Sequence, residues 1–397
     1  MSTARCPYCY LPVDTKIAKF QCTGKSAPGK IPCAATPPDQ FAPRLVLTGY
    51  TEPYRPSYSG GTGKPAFGVC PDCGSAPQTR VCNNCETPLP PDFFSGHNPL
   101  IGMVGAKNTG KTVYLAVLSK TLRTSIGRRF NASITVANES RAAEDVKRNA
   151  EKLYDRQLGR LPDVTGAHRG QTYGRDPIVL NWVQQSGLLK RRSSALLSFY
   201  DTAGEDLQTM DSVRDQDYLG AADGVVVMLD PFQLPGNRQE GRDRMGGLSR
   251  ADLDTEAVET LNRVADFIRA ARNVSSAKKI GVPVAVAFSK IDAFLPSLEP
   301  GNPLVQRPMP GPYYDERDGR AVHEYVKALL SDWEGDDITR FLDHNFSKFR
   351  FFGVSALGAE PDYGAGTVDP DGVRPLRVED PILWLLAERD FIKRGNK

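Results

Sequence analysis

A glycine-rich octapeptide, residues 105–112 (GAKNTGKT), carries residue types that bind phosphate groups. Its glycines let the backbone curl so that successive amides point inward at phosphate oxygens. Lys111 would reach the β and γ phosphates as a point charge, and the Thr112 hydroxyl would ligate Mg²⁺. The apolar run at residues 98–104 predicts a strand before this loop, and the residues after it predict a helix whose N-terminus favours anions. The expected phosphate-binding residues are Gly105, Asn108, Thr109, Gly110, Lys111 and Thr112.

All eight cysteines of the chain lie between Cys6 and Cys85. Three C-x₂-C pairs each place two thiolates on one turn, a pattern typical of structural zinc sites with four sulfur ligands. In chain order the sites would be Cys6, Cys9, Cys22 and Cys33, then Cys70, Cys73, Cys82 and Cys85. Crossed groupings remain open at this point, and free buried cysteines or a redox pair are the alternative to metal. We expect two structural Zn²⁺ sites in a zinc-ribbon or zinc-knuckle module.

The composition is that of an ordinary globular protein rather than of a nucleic-acid or membrane protein. The chain has 397 residues, 40% hydrophobic and 24% charged, with a formal net charge of +3. That charge is too small to predict nucleic-acid binding by bulk electrostatics. No run approaches the roughly 20 apolar residues of a membrane span, and the N-terminus lacks a hydrophobic signal segment. We therefore expect a cytoplasmic protein without a membrane span.

Three further polar segments each follow an apolar run that predicts a buried strand. They lie at residues 201–205 (DTAGE), residues 289–292 (SKID) and residues 355–357 (SAL). Because ligands of parallel α/β sheets bind at the carboxyl ends of the strands, this order suits one nucleotide site. Together with the phosphate loop, these segments resemble the motif series of the Ras-like and translation-factor GTPases, over roughly residues 98–395.

The resemblance assigns a role to each segment. Asp201 would hold Mg²⁺ through a water, and the Gly204 amide would sense the γ phosphate. Asp292 would accept two hydrogen bonds from guanine, which rejects adenine because the acid would then stay unpaired. Lys290 would pack over the base or the phosphate loop. In the third segment, which also contains Ser355, the Ala356 amide would donate to guanine O6.

Three departures from the family pattern concern the base and the reaction. Ser289 replaces the usual Asn or Thr, and could still hydrogen-bond across to the phosphate loop. Glu205 stands where Ras relatives carry a water-orienting Gln, so we expect slow intrinsic hydrolysis. In K⁺-activated GTPases an Asn at the position of Asn108 helps to hold the ion, which raises K⁺ stimulation as a hypothesis. The switch I threonine is expected to be Thr165, with Thr172 as the alternative.

The predicted architecture is an α/β P-loop NTPase three-layer sandwich with a mixed, mostly parallel six-stranded sheet. Residues 178–184 and 195–201 are predicted to form an antiparallel hairpin within it. A small cysteine-rich domain precedes this sheet. The expected boundaries are residues 1–85 for the zinc-binding module, residues 86–97 for a linker and residues 98–397 for the Ras-like GTPase domain with insertions.

The sequence thus predicts a GTPase switch that binds GTP or GDP with Mg²⁺ and docks a partner through its zinc module. The layout also resembles the bacterial double-GTPase (type 2) proteins of predicted conflict or defence systems, which implies a protein partner such as a second GTPase or a regulator. Two alternatives stay open. One is an ATP-using P-loop NTPase, and the other is a zinc-dependent adaptor whose nucleotide domain does not hydrolyse.

Overall fold

The chain divides into two compact units, each assembled from several stretches of sequence. One unit comprises Met1–Asn98, Thr135–Glu144 and His168–Tyr200, and the other comprises Pro99–Ile134, Asp145–Ala167 and Asp201–Lys397. The structure is a computed structural model that describes residues 4–14, 16–37, 53–62, 68–94, 98–106, 108–137, 141–155, 159–162, 177–186, 191–201, 218–244 and 257–395. We call the two units the cysteine unit and the phosphate-loop unit.

The strands and helices are numbered in chain order. The strands are β1 (Ile17–Gln21), β2 (Ser57–Thr62), β3 (Leu100–Gly105), β4 (Ala132–Val136), β5 (Ile178–Ser186), β6 (Arg191–Asp201), β7 (Gly224–Leu229), β8 (Val284–Phe288), β9 (Tyr314–Asp315), β10 (Phe349–Gly353) and β11 (Arg394–Gly395). The α-helices are α1 (Lys111–Thr121), α2 (Arg141–Leu153), α3 (Arg238–Arg244), α4 (Ala257–Arg272), α5 (Glu316–Asp332), α6 (Asp336–Asn345) and α7 (Asp380–Glu388). After α1 the helix continues through a π-helical turn (Leu122–Ile126) and a last turn (Gly127–Arg129).

The main sheet has seven strands in the order β10-β8-β7-β3-β6-β5-β4. The expected α/β fold with a mostly parallel mixed sheet is confirmed, but the expected number of six strands is wrong. The additional strand is β4, in which only Ile134 is buried. Since β4 is a mostly exposed strand at the end of the sheet, it lacks the apolar run by which the other strands are recognised.

The phosphate-loop unit is built around four parallel strands. β3 pairs with β7, β7 with β8, and β8 with β10, all in parallel register. Every residue of β3, β7 and β8 is buried, as expected for parallel strands covered on both faces. Within this unit α5 packs against β10, and α7 packs against β7 and β8. The carboxyl ends of these strands share one edge, where a ligand site is expected.

The cysteine unit contains two antiparallel pairs. β1 pairs with β2, with an irregularity between Ile17 and Lys19. β5 and β6 pair along their length from Ile178 opposite Phe199 to Ser186 opposite Arg191, so the predicted hairpin is present and longer than expected.

Candidate functional site

The phosphate loop joins β3 to α1, and its glycines are required by its geometry. A Cβ atom on Gly105 would lie 2.6 Å from the Met228 carbonyl oxygen on β7, so no larger residue fits there. Gly110, at the start of α1, has a φ of 78°, a left-handed conformation that favours glycine. Asn108 is also left-handed, with a φ of 64°. The loop therefore curls tightly at the carboxyl end of β3, as its sequence predicts.

Lys111, the first residue of α1, is buried, and its ammonium lies inside the loop. Nζ donates hydrogen bonds to the Gly105 carbonyl at 2.6 Å and to the Ala106 carbonyl at 3.1 Å. The fully buried Thr109 hydroxyl donates to the Ala106 carbonyl at 2.9 Å. A positive charge at a helix N-terminus favours an anionic ligand. The half-buried Thr112 is the next residue of this helix.

The carboxylate expected to recognise the base is held by a neighbouring motif. The Ser355 hydroxyl, which follows β10, donates a hydrogen bond to Asp292, which follows β8. Burial raises the pKa of the Asp292 carboxyl, opposed by this hydrogen bond and by the charge of Lys290. Ser355 is fully buried, and its oxygen also accepts from the Gly358 amide at 2.7 Å. The structure thus places Asp292 beside the S-A-L segment, in which Ala356 is half-buried.

Ser289 and Lys290 lie between β8 and Asp292, and both side chains contact the neighbouring β7 or the residue that follows it. The Ser289 hydroxyl donates to the Leu229 carbonyl on β7 at 3.2 Å rather than to the phosphate loop. Lys290 has a left-handed φ of 53°, and its Nζ donates to Asp230 at 2.6 Å. Asp230 is 1% exposed, and its other oxygen caps the turn that begins at Pro231 by accepting from Phe232. The sequence pattern assigns no role to Asp230, although it directly follows the buried strand β7.

A segment near the C-terminus braces the S-A-L loop, and it too was absent from the sequence-based prediction. Ser355 and Leu376 exchange two backbone hydrogen bonds, of 3.0 and 2.8 Å. The Arg374 amide donates to the Leu357 carbonyl at 2.8 Å. A Cβ atom on Gly358, whose φ is 83°, would lie 1.8 Å from the Arg374 carbonyl oxygen. No local sequence signal marks these contacts, because the paired residues are separated by an irregular loop.

The residues expected to act on Mg²⁺ and on the γ phosphate lie mostly outside the described residues. Asp201 ends β6, and only its backbone is described. Thr165, Thr172, Gly204 and Glu205 lie outside the described residues, as does Lys107. Their roles stay predictions.

The cysteines form two clusters of four, and the chain-order grouping is wrong. One cluster is Cys6, Cys9, Cys82 and Cys85, and the other is Cys22, Cys33, Cys70 and Cys73. This grouping follows from the direction of the chain segments that connect the two clusters. Residues 79–81 run alongside β1, since Gln21 bonds to Thr79 and Val81 bonds to Lys19. The two connections therefore run antiparallel, so that Cys82 and Cys85 reach the end of β1 where Cys6 and Cys9 lie, whereas Cys70 and Cys73 lie at the end where Cys22 lies.

The spacing of the sulfur atoms suits a tetrahedral metal ion. Within each cluster the sulfur atoms all lie within 4.8 Å of one another. Cys6 and Cys85 are 3.8 Å apart, as are Cys9 and Cys82. Four thiolates placed about 2.3 Å from a Zn²⁺ ion would lie about 3.8 Å apart. Each cluster of four thiols could therefore hold a metal ion.

The first cluster also packs against the β5–β6 hairpin of the same unit. Cys6, Cys82 and Cys85 belong to one buried apolar group with Val179 of β5 and Leu196 of β6. The second cluster packs instead with Tyr58 of β2. The two candidate metal sites thus pack against different parts of the unit, the first against the β5–β6 hairpin and the second against β2.

The family assignment comes from a match over most of the phosphate-loop unit. The sequence profile of the Double-GTPase 2 family matches residues 99–361, more than half of the chain. The chain belongs to the Double-GTPase 2 family. The resemblance to double-GTPase proteins seen in the motifs is thereby confirmed, and GTP binding is the property that this family implies.

A curated relative of this Double-GTPase 2 protein comes from Mycolicibacterium smegmatis and is named "Putative ESX-1 scaffolding and assembly protein SaeC". It is 27% identical over 330 residues, which cover 79% of this chain and 80% of the relative.

Solved GTPase structures are similar at low sequence identity. The Arl6 small GTPase from Trypanosoma brucei, with bound GppNp, is 12% identical and aligns to 74% of this chain and 98% of its own, with a TM-score of 0.28. Era from Aquifex aeolicus, bound to GDP and AlF₄⁻, is 12% identical and aligns to 75% of this chain and 58% of its own, with a TM-score of 0.27. At these scores the likeness carries no detail of the site.

Among the described residues of the Double-GTPase 2 protein, no helix is both long and apolar enough to cross a membrane.

Proposed function

We propose that this protein is a GTP-binding and GTP-hydrolysing switch. The single observation that supports this best is the pair formed by Asp292 and Ser355 at the carboxyl ends of β8 and β10. These strands belong to the same parallel set as β3, which leads into the phosphate loop. An acid that can accept from guanine and a loop that can grip phosphates therefore share one sheet edge.

In this proposal the ligand's base and phosphates are recognised by separate groups. The Asp292 carboxylate accepts from the two guanine donors, N1 and N2, and the Ala356 amide donates to O6. Lys111 moves from the loop carbonyls to the β and γ phosphates, while the loop amides hold the remaining oxygens. Mg²⁺ supplies charge neutralisation on the phosphates, and Thr112 and Asp201 are the residues that would hold it.

Hydrolysis would be attack of water on the γ phosphorus, with cleavage of its bond to the β–γ bridging oxygen and release of GDP and phosphate, catalysed by positioning and charge neutralisation. We assign the γ-phosphate contact to the Gly204 amide and the switch I contact to Thr165. Glu205 would adjoin the attacking water, where an ionised carboxylate accepts hydrogen bonds only, so the rate without a partner is slow. The Asn108 side chain is the candidate ligand for an activating K⁺ ion.

The cysteine clusters are proposed to be structural Zn²⁺ sites, since four thiolates leave no open position for catalysis. Because the first cluster packs against β5 and β6, bound zinc would stabilise the hairpin that leads to Asp201. We propose residues 1–85 as the zinc module, 86–97 as the linker and 98–397 as the GTPase domain. A module of this kind serves to dock a protein partner.

The partner is proposed to be a protein, such as a second GTPase or a regulator, in the cytoplasm of a bacterium. Two settings fit. A conflict or defence system is implied by the double-GTPase resemblance, whereas the name of the mycobacterial relative favours the assembly of a larger complex. The net charge of +3 gives no support to nucleic acid as the partner.

Calorimetry with GDP, GTP and ATP in the presence of Mg²⁺ tests the proposal on zinc-replete protein, beside Lys111→Ala. We expect guanine nucleotides to bind, ATP to compete poorly, and the variant to lose most of its affinity. A preference for ATP would support the alternative of an ATP-using enzyme. Full partner binding by Lys111→Ala would support the alternative of an adaptor that does not hydrolyse.

A further inference from the structure

A buried arginine outside the nucleotide motifs anchors the segment that braces the S-A-L loop. Arg377 is 1% exposed and has a left-handed φ of 53°. Its guanidinium donates to both oxygens of Asp318 on α5, at 2.7 and 2.9 Å, and to Asp380 on α7 at 2.8 Å. Such a forked geometry suits two carboxylates at once.

The Arg377 guanidinium also donates hydrogen bonds to three backbone carbonyls. Nε donates to the Leu304 carbonyl at 2.8 Å, and Nη2 donates to the carbonyls of Pro303 at 2.6 Å and Gln306 at 2.8 Å. All three nitrogens of Arg377 are therefore engaged. A lysine has one nitrogen and cannot reproduce this arrangement, although it keeps the charge.

The residues on either side of Arg377 contact the two ends of the proposed nucleotide site. Leu376 pairs with Ser355, which donates to Asp292 at the base end. The Val378 carbonyl accepts from the Tyr114 hydroxyl at 2.7 Å, and Tyr114 lies on α1 at the phosphate end. Three consecutive residues, 376–378, thus connect the S-A-L loop with α1, the helix that begins at Lys111.

We propose that Arg377 is a positioning residue for guanine recognition. By fixing residues 376–378, it sets where Ser355 and Ala356 stand relative to α1. This inference rests on the proposed function, since it presumes that a guanine nucleotide occupies the site.

The test compares Arg377→Lys with Arg350→Lys as a matched control. Arg350 is also a largely buried arginine of the same unit, and it donates to Glu316 at 2.6 Å and to Tyr314 at 3.0 Å. Affinity is measured for GDP and for 2-aminopurine riboside 5′-diphosphate, which lacks both the O6 acceptor and the N1–H donor of guanine. We expect Arg377→Lys to lose at least about tenfold in GDP affinity and most of the preference for GDP over the analogue. Arg350→Lys should keep that preference even if it lowers stability.

A folded Arg377→Lys protein with the wild-type preference would overturn the inference. If Arg377→Lys does not fold, Asp318→Asn weakens the same anchor at a more exposed position, and an unchanged preference there has the same consequence. Failure of the proposed function is distinguishable, because in that case the wild-type protein itself does not bind GDP.

Discussion

The Lys290 ammonium lies 2.6 Å from the Asp230 carboxylate, so the lysine of the S-K-I-D segment is fixed by an acid that directly follows the neighbouring strand β7. Asp230 is almost fully buried, and the Lys290 side chain is only 17% exposed. Because the pair joins the ends of β7 and β8, it holds the backbone that presents Asp292. The pair thus supports the base end of the site without belonging to its expected motifs.

Replacing Asp230 by Asn should therefore weaken both the fold and nucleotide binding. The amide keeps the cap on Phe232 but removes the charge that Lys290 faces, which should cost about 2 kcal/mol of unfolding free energy, since Lys290 is partly hydrated. We expect GDP to dissociate roughly tenfold faster in stopped-flow measurements, a change of about 1.4 kcal/mol. Asp315→Asn, the same change at the N-cap of α5, is the control and should leave the rate unchanged. Equal rates in the two variants would remove any role for Asp230.

The two cysteine clusters should differ in their effect on the β5–β6 hairpin. Cys82→Ser and Cys70→Ser should each reduce the bound zinc from two ions to one, measured by mass spectrometry of the metal content. Only Cys82→Ser should speed hydrogen exchange in residues 178–199, because only its cluster packs against Val179 and Leu196. Cys70→Ser is the matched control, since its cluster packs with Tyr58. Identical exchange in both variants would contradict the proposed support of the hairpin.

Gly358 and Gly366 separate the effect of backbone strain from that of a steric clash at the S-A-L loop. Both have positive φ, but a Cβ atom would collide with Arg374 only at Gly358 and meets nothing within 4 Å at Gly366. Gly366→Ala should cost about 1 kcal/mol from strain alone. Gly358→Ala should additionally displace Ser355 and lower GDP affinity by about tenfold or more. The braced loop has no part in nucleotide binding if both variants bind GDP as the wild type does.

Acid should destabilise the fold through His323. Its Nδ1 accepts from the Phe351 amide on β10 at 3.0 Å, and burial lowers its pKa below the ordinary value of 6.5. The folded state thus favours the neutral ring, so the unfolded chain binds more protons as the pH falls through 6.5 and stability decreases. The slope reaches at most about 1.4 kcal/mol per pH unit for one proton. Urea titrations of wild type and His323→Gln between about pH 5 and 7.5, which span the ordinary histidine pKa, should differ in that slope. Parallel curves would rule out His323 as the cause.

The parts of the site that could be predicted are motifs whose residues are consecutive in the sequence. The phosphate loop, the S-K-I-D segment and the S-A-L segment each follow a buried strand, so their positions at one sheet edge follow from parallel pairing. The partners Asp230 and Arg377 could not be predicted, because their contacts lie far away in the sequence. Nothing in the pattern marks Arg377 as buried, since its partners come from three separate segments.

Other differences have similar causes. The sheet has seven strands rather than the expected six, because the exposed residues of β4 give no apolar run that predicts a strand. The cysteine grouping depends on residues 79–81 running antiparallel to β1, a long-range pairing that cysteine spacing does not encode. Spacing alone therefore predicts the number of clusters but not their membership.

The most direct test of the proposed guanine site is the base preference of Asp292→Asn. An amide at this position can no longer accept two hydrogen bonds from guanine, but it can pair with the extra carbonyl of xanthine. Competition against a fluorescent nucleotide, with Mg²⁺ present, should show that the variant loses affinity for GDP and gains affinity for xanthosine diphosphate, whereas the wild type prefers GDP. If the variant and the wild type rank the two nucleotides identically, Asp292 does not read the base, and the proposed guanine site is contradicted.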